Sequence, residues 1–160
     1  RLSLQPSSPE YATSTPRLEL AFAFSATKTD ANDAWASIAN FRYGVDEHYL
    51  VVAIERATPT EHHVIAFPAP EGEPVLKLGA VKLGSWQWIR MTIPKRSAPA
   101  GSPVGGGATV ELDGAPKTLT LPPAALTPDL RFDLGLGISG MAGGDFVVHY
   151  DDVSITHSAP

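Results

Sequence analysis

Prolines and glycines interrupt this chain every few residues, and this feature limits its choice of fold more than any other. The 160 residues include 15 prolines and 14 glycines, and both residue types are unfavourable in the interior of a helix. No window of the sequence offers three turns of amphipathic helix. We therefore expect short extended segments joined by turns.

Several of these segments show the alternation of apolar with polar or small residues that is typical of half-buried strands. The period of two is clearest at 17–25, and it recurs at 49–56, 86–93 and 131–138. An Asp-Gly pair at 113–114 separates two further alternating runs, and Asp-Gly is a strong signal for a hairpin turn. The spacing of these strands predicts an all-β sandwich or barrel.

The length is typical of one domain with a hydrophobic core. We predict a single β-sandwich domain at 17–157. Residues 1–16 are rich in Ser, Pro and Thr, so they are predicted to be a solvated linker, and 158–160 a short tail. The segment 94–107 is predicted to be a long loop. The linker-like start favours a mature exported protein, located at the cell surface, in the periplasm or outside the cell.

Charge and composition exclude several classes of function. Twelve basic and seventeen acidic residues give a net charge of −5, which argues against a nucleic-acid partner because phosphate binding needs a basic patch. No apolar run approaches the roughly 20 residues of a membrane helix, so no membrane insertion is expected. There is no cysteine, which excludes disulfides, zinc thiolates and cysteine nucleophiles.

Five short motifs occur in a recognisable order. They are LELAFAF, GSWQWIRMTI, VELDG, FDLGLGI and YDDVSI. In this order they resemble the laminin-G-like and concanavalin A-like lectin/glucanase superfamily, over 17–157. The resemblance implies a two-sheet antiparallel jelly-roll sandwich with one concave sheet, which in relatives often binds sugar. A shared fold does not by itself fix the function.

The resemblance also bears on catalysis. Hydrolases of the superfamily carry E-x-D-x-x-E on a concave strand, and alginate-lyase relatives carry an Arg-rich strand and a Gln-x-His strand. None of these motifs is visible here, so the resemblance implies a protein that is not an enzyme. We expect a carbohydrate-binding or adhesion module that binds a glycan on the concave sheet. Two alternatives remain, namely a structural or protein-interaction domain without a small ligand, and a divergent polysaccharide-degrading enzyme.

The candidate ligand contacts are outward-facing residues of two strands. Trp88 and Arg90 lie on the segment 86–93, and Tyr49 lies on 49–56. Glycan sites combine aromatic rings, which pack on the apolar faces of sugars, with a few fixed polar groups. We therefore predict that these three residues contact the ligand. The alternative for Trp88 is a side chain covered by a loop.

Two adjacent carboxylates, Asp151 and Asp152, stand in the last alternating segment. Asp is unfavourable in strands, and the apolar face changes sides at this pair, which indicates a β-bulge. The alternative is a central strand buried on both faces. The resemblance implies that Asp151 helps to hold a structural calcium, the one cofactor considered. Without a metal, the carboxylate is expected to cap backbone N–H groups.

Overall fold

The computed structural model describes residues 2–29, 35–70, 74–135 and 146–157. Within these ranges the chain forms thirteen strands and one short 3-10 helix. The strands are β1 (Leu2–Leu4), β2 (Ser14–Thr15), β3 (Leu18–Thr29), β4 (Trp35–Arg42), β5 (Tyr49–Thr58), β6 (Glu61–Ala69), β7 (Leu76–Ala80), β8 (Gln87–Ile93), β9 (Arg96–Ser97), β10 (Pro103–Leu112), β11 (Ala115–Ala125), β12 (Arg131–Leu134) and β13 (Phe146–His157), and the 3-10 helix is Pro9–Ala12. None of the described segments is a helix long and apolar enough to cross a membrane.

Eleven of the thirteen strands form two antiparallel sheets. The six-stranded sheet has the order β1-β12-β4-β5-β6-β7, and the five-stranded sheet has the order β11-β10-β8-β3-β13, while β2 and β9 pair as a short ribbon. One core cluster draws buried side chains from both sheets, for example Phe22 of β3, Ile89 of β8, Phe41 of β4 and Leu50 of β5. The sheets therefore pack face to face. The predicted fold, an all-β jelly-roll sandwich of the concanavalin A-like type, is confirmed.

Strand β8 shows why period-two segments were recognisable. Its inward residues Ile89, Met91 and Ile93 are almost fully buried, whereas Trp88 and Arg90 are exposed. Burial of one such apolar side chain stabilises the folded state by about 1.5–3 kcal/mol. The orientation that buries all three is therefore strongly favoured, and the alternation in the sequence indicates which side of the strand is buried.

The hairpin between β10 and β11 has its turn at the predicted Asp-Gly pair. Asp113 and Gly114 both have positive φ, 52° and 80°, as a two-residue turn of this kind requires. The Asp113 carboxylate accepts hydrogen bonds from the backbone N–H of Trp88 at 2.9 Å and from Gln87 Nε2 at 3.2 Å. Burial raises the pKa of Asp113, but these bonds and the Lys82 ammonium, 3.1 Å from Asp113 Oδ2, outweigh it and hold the pKa below its usual value. The two bonds also tie the turn to β8.

The predicted bulge at the aspartate pair is present. The pairing of β13 with β3 shifts register between Asp151 and Ser154, and Asp152 has a φ of 48°. Among the described strands, β13 lies at the edge of its sheet, and both Asp151 and Asp152 are exposed, which contradicts the alternative of a central strand buried on both faces. Asp151 is exposed, and its Oδ1 accepts a hydrogen bond from the Asp152 N–H at 2.8 Å.

Two segments predicted to lie outside the sheets contribute to them. Residues 2–4, in the predicted linker, pair with β12, and the Ser8 N–H donates to Pro128 O at 3.0 Å. The predicted loop at 94–107 contains β9 and the start of β10, which pairs with β11 through 103–107. Here backbone hydrogen bonds to neighbouring strands decide the conformation, and composition does not report them. The boundaries of the single domain and of the tail stay predictions.

Candidate functional site

The three predicted ligand contacts lie on opposite sides of the molecule. Trp88 and Arg90 are on β8, on the outer face of the five-stranded sheet, and Tyr49 is on β5, on the outer face of the six-stranded sheet. Period-two alternation gives a side chain's orientation but does not give the sheet to which its strand belongs, so the sequence did not indicate this separation. Whether each residue contacts a ligand stays a prediction.

The outer face of the six-stranded sheet has one polar end. Arg131 of β12 lies opposite Arg42 of β4, which lies opposite Tyr49 of β5. In the next row Asp133 lies opposite Asn40. We call these five residues the polar end. Because registered partners across a sheet share a face, their side chains project from the same side.

Ion pairing leaves the polar end with a positive charge. Arg131 Nε lies 2.9 Å from Asp133 Oδ2, and Asp133 is buried. Arg42 Nε donates to Gly44 O at 3.3 Å, and Arg42 forms no ion pair with any carboxylate in the described part of the chain. Two guanidinium groups and one carboxylate give a net charge of +1, which favours an acidic ligand.

A bulge in β4 brings two polar side chains to this face. Ser37 pairs with Ala53, and Ala39 pairs with Val52, the residue that precedes Ala53 on β5. Two steps along β4 therefore match one step along β5, and Ile38 is the extra residue. As a result Ser37 and Asn40 lie close together, and Asn40 Nδ2 donates to Ser37 Oγ at 3.4 Å.

Asn40 also has an unused acceptor. Its residue exposure is only 2%, and its Oδ1 accepts no hydrogen bond from the residues that the structure describes. A buried acceptor without a donor is unfavourable by about 1–3 kcal/mol. Because this oxygen has almost no accessible surface, a ligand on the outer face does not reach it.

An apolar cleft adjoins the polar end. It has a volume of about 300 Å³ and is lined by Trp35, Val51, Glu55, Ile65, Phe67, Ala69, Pro70 and Val75. The rings of Trp35 and Phe67 meet edge to face, with centroids 5.1 Å apart. This volume is at the lower end of the range for small-ligand pockets, and the aromatic lining suits the apolar face of a sugar ring.

Sequence reasoning missed most residues of this site. Strands β4 and β6 are buried on both faces, so their sequences lack alternation and they were not predicted as strands. The polar residues of β12 were detectable in principle, because Arg131 and Asp133 alternate with the buried Phe132 and Leu134. Their neighbours Arg42 and Asn40 could be found only once β4 was known to lie beside β12.

No metal site can be assigned. Among the described residues, no three His, Cys, Asp or Glu side chains gather as metal ligands. The structural calcium at Asp151 stays a prediction.

No family model matches the chain, and no curated protein matches it. Several solved structures, however, are similar to it. A family 7 alginate lyase from Zobellia galactanivorans has a TM-score of 0.64 and 8% identity, covering 97% of this chain and 65% of its own. A family 18 polysaccharide lyase has a TM-score of 0.60 and 11% identity, covering 94% and 74%. An alginate lyase from Alteromonas sp. 272 has a TM-score of 0.56 and 10% identity, covering 94% and 74%.

These similarities at low identity show the fold. They confirm the resemblance at the level of the concanavalin A-like jelly roll, whereas the narrower likeness to laminin-G-like domains is not supported and stays a prediction. The prediction of a non-catalytic glycan-binding module is contradicted, because these three similar structures are alginate or polysaccharide lyases. The second alternative, a divergent polysaccharide-degrading enzyme, is better supported. The absence of the known motifs therefore does not exclude catalysis.

Proposed function

We propose that the chain is a divergent polysaccharide-degrading enzyme that cleaves an acidic polysaccharide on the outer face of its six-stranded sheet. The observation that carries this proposal is the row in which Arg131, Arg42 and Tyr49 are register neighbours, beside an apolar cleft with an aromatic lining. The fold shared with alginate lyases supports it.

The proposed reaction is elimination at a uronic acid residue. A base removes the proton on C5, the carbon next to the carboxylate. The electron pair forms a C4=C5 double bond, the bond from C4 to the glycosidic oxygen breaks, and the leaving oxygen takes a proton. Negative charge develops on the carboxylate during the first step, so a fixed cation beside it lowers the barrier.

Arg42 is the group that we assign to the substrate carboxylate. It has no carboxylate partner among the described residues, so its charge is available. Arg131 is oriented by Asp133 at 2.9 Å and adds positive potential to the same row.

Tyr49 is the group that we assign to proton transfer. A phenol can donate or accept a proton when it is held within hydrogen-bond reach of the reacting atom, and Tyr49 lies directly opposite Arg42. The outward positions of β5 are Tyr49, Val51, Ala53 and Glu55, so this strand has no Gln-x-His pair. The proposed enzyme therefore transfers protons with different groups from those that the superfamily resemblance implied.

The apolar cleft would hold the next sugar along the chain. Trp35 and Phe67 present aromatic surface there, and the apolar face of a pyranose packs against such surface. A polymeric substrate of this kind lies outside the cell, so we include an exported location in the proposal.

The test is incubation of the purified protein with alginate, with detection of the new double bond by its ultraviolet absorbance. We expect Tyr49→Phe to lower kcat by about 10²-fold or more, the range of general acid–base catalysis, with little change in KM. Arg42→Ala should lower kcat/KM strongly, while Arg42→Lys retains part of it.

Tyr11→Phe is the matched control, since this tyrosine packs against the main core and is not one of the polar-end residues, and it should act like the wild type. No double-bond formation by the wild type on alginate or other polyuronates, or full activity in Tyr49→Phe, would overturn the proposal.

A further inference from the structure

We propose a second binding site, for a neutral polysaccharide, on the outer face of the five-stranded sheet. It is a hollow of about 150 Å³ lined by Ala21, Trp88, Ile89, Arg90, Glu111 and Gly114, and we call it the Trp88 hollow. It lies on the opposite sheet from the polar end, and it stands whether or not the polar end is catalytic.

The hollow is lined by a half-exposed tryptophan. Trp88 is 46% exposed on β8, the central strand of its sheet. Its register neighbour on β3 is Ala23, and the next outward residue of β3 is Ala21. On the other side the turn residue Gly114 has no side chain. Small residues on both sides leave room for a ring to pack against the indole, which is how proteins bind the apolar face of a sugar.

A single exposed tryptophan is common on protein surfaces and carries no inference alone. Here a fixed polar network stands beside it. Arg90 Nε lies 3.3 Å from Glu19 Oε1, and Arg90 Nη1 lies 3.2 Å from Glu111 Oε2. Two carboxylates from two neighbouring strands thus hold the guanidinium plane in place.

This network presents donors and acceptors side by side. Arg90 has five N–H groups and each carboxylate has about four lone-pair positions, so the two ion pairs leave N–H donors and carboxylate acceptors available next to each other. Sugar hydroxyls on neighbouring carbons each donate and accept, which matches such pairs. The combination of a half-exposed indole and rigid donor–acceptor pairs selects a carbohydrate over a purely apolar ligand.

Charge decides which carbohydrate fits. The formal charges of Arg90, Glu19 and Glu111 sum to −1. Asp151, register partner of Ala23 on β13, adds a further negative charge. The positive charge of Lys82 is paired with Asp113 at 3.1 Å. An acidic polymer is therefore repelled here, and a neutral one is not.

The size of the hollow indicates how the ligand binds. A volume of about 150 Å³ is below the range of pockets that enclose a whole small ligand. It fits one sugar ring, and the rest of a polysaccharide would run along the open sheet. The two outer faces of the sandwich thus favour polysaccharides of different charge.

The experiment is calorimetric titration with four hexasaccharides. Three are neutral, the β-1,4-linked oligomers of glucose, mannose and xylose, and the fourth is acidic hexamannuronate. Two variants alter the hollow. Trp88→Ala removes the aromatic surface, and Ala21→Gln fills the space without changing the aromatic ring or the charge. Trp86→Ala is the matched control, because Trp86 is 52% exposed and does not line the hollow.

We expect at least one neutral hexasaccharide to bind the wild type and Trp86→Ala with equal Kd. Trp88→Ala and Ala21→Gln should each raise that Kd at least tenfold, and melting temperatures would confirm that both variants fold. Any binding of hexamannuronate should be the same in Trp88→Ala as in the wild type.

Three results would overturn the proposal. They are no saturable binding of any neutral hexasaccharide by the wild type, unchanged Kd in Trp88→Ala, and hexamannuronate binding that is lost in Trp88→Ala. Failure here is distinguishable from failure of the proposed enzyme, because double-bond formation on alginate is measured separately and depends on Tyr49 and Arg42.

Discussion

The hydroxyl of Tyr150 joins the two sheets, and its removal is a sensitive test of the fold. Tyr150 is on β13 of the five-stranded sheet, and its hydroxyl donates to Ile38 O of the six-stranded sheet at 2.9 Å. Ile38 is the extra residue of the β4 bulge that places Ser37 and Asn40 on one face. Tyr150→Phe therefore removes one hydrogen bond from the segment that positions the candidate site.

The magnitude follows from the partners of that carbonyl. Ile38 O also accepts a hydrogen bond from the Gly135 N–H at 3.1 Å, so Tyr150→Phe leaves it with one donor. We expect the free energy of unfolding to fall by about 1 kcal/mol, the net value of one hydrogen bond. For a domain of this size that lowers Tm by about 2–4 °C. Tyr150→Ala also loses the ring contact with Phe22, at 5.9 Å between centroids, and should cost about 3–5 kcal/mol.

The dependence of the free energy of unfolding on pH distinguishes loss of the Tyr150 hydroxyl from loss of the packing of its ring. Burial raises the pKa of Tyr150 above its ordinary value of 10.0, so the folded state keeps the phenol protonated when the unfolded state has lost the proton. The stabilisation is complete below pH 10 and is lost as pH rises further. Tyr150→Phe should therefore lose less stability than the wild type at alkaline pH.

Denaturant unfolding of both variants at neutral and alkaline pH checks this reasoning. Tyr11→Phe is the control: Tyr11 also packs on the core, its hydroxyl makes no hydrogen bond to the described residues, and its free energy of unfolding should change by less than about 0.5 kcal/mol. A Tyr150→Phe protein as stable as the Tyr11→Phe protein, with an unchanged alkaline profile, would refute the role of the hydroxyl.

Three further predictions use the same measurements. Burial lowers the pKa of Arg96 from 12.5 to about 10, which corresponds to an unfavourable free energy of about 3 kcal/mol. This cost roughly offsets the 2.7 Å hydrogen bond from Arg96 to Tyr43 O and the contact with the Tyr43 ring. The free energy of unfolding of Arg96→Met should therefore lie within about 1 kcal/mol of the wild-type value, and a much larger loss would contradict this. Gly44→Ala should cost about 1–3 kcal/mol, since its Cβ would lie 2.6 Å from Ala124 Cβ, and unchanged stability would disprove the clash. The calcium predicted at Asp151 is tested with a chelator: a fall in Tm of several degrees would support it, and an unchanged Tm would contradict it.

Burial on one or both faces explains which strands the sequence predicted. Strands such as β8 have one buried and one exposed face, so their apolar residues alternate. Strands β4 and β6 have burial patterns with almost no exposed position, so the outward residues are also apolar or are covered polar groups. A strand buried on both sides has no period of two, and the signal on which the prediction rested is absent.

The sequence by itself determined the β class, the orientation of the alternating strands, the Asp113-Gly114 turn and the bulge at Asp151, because each depends on local backbone preference or on the side of a strand that is buried. Only the tertiary structure decided which strands share a sheet. It separated Tyr49 from Trp88 and placed Arg131 beside Arg42, residues 89 positions apart in the chain. Strand pairing depends on hydrogen bonds between distant backbone groups, which look alike for every residue, so no local pattern specifies them.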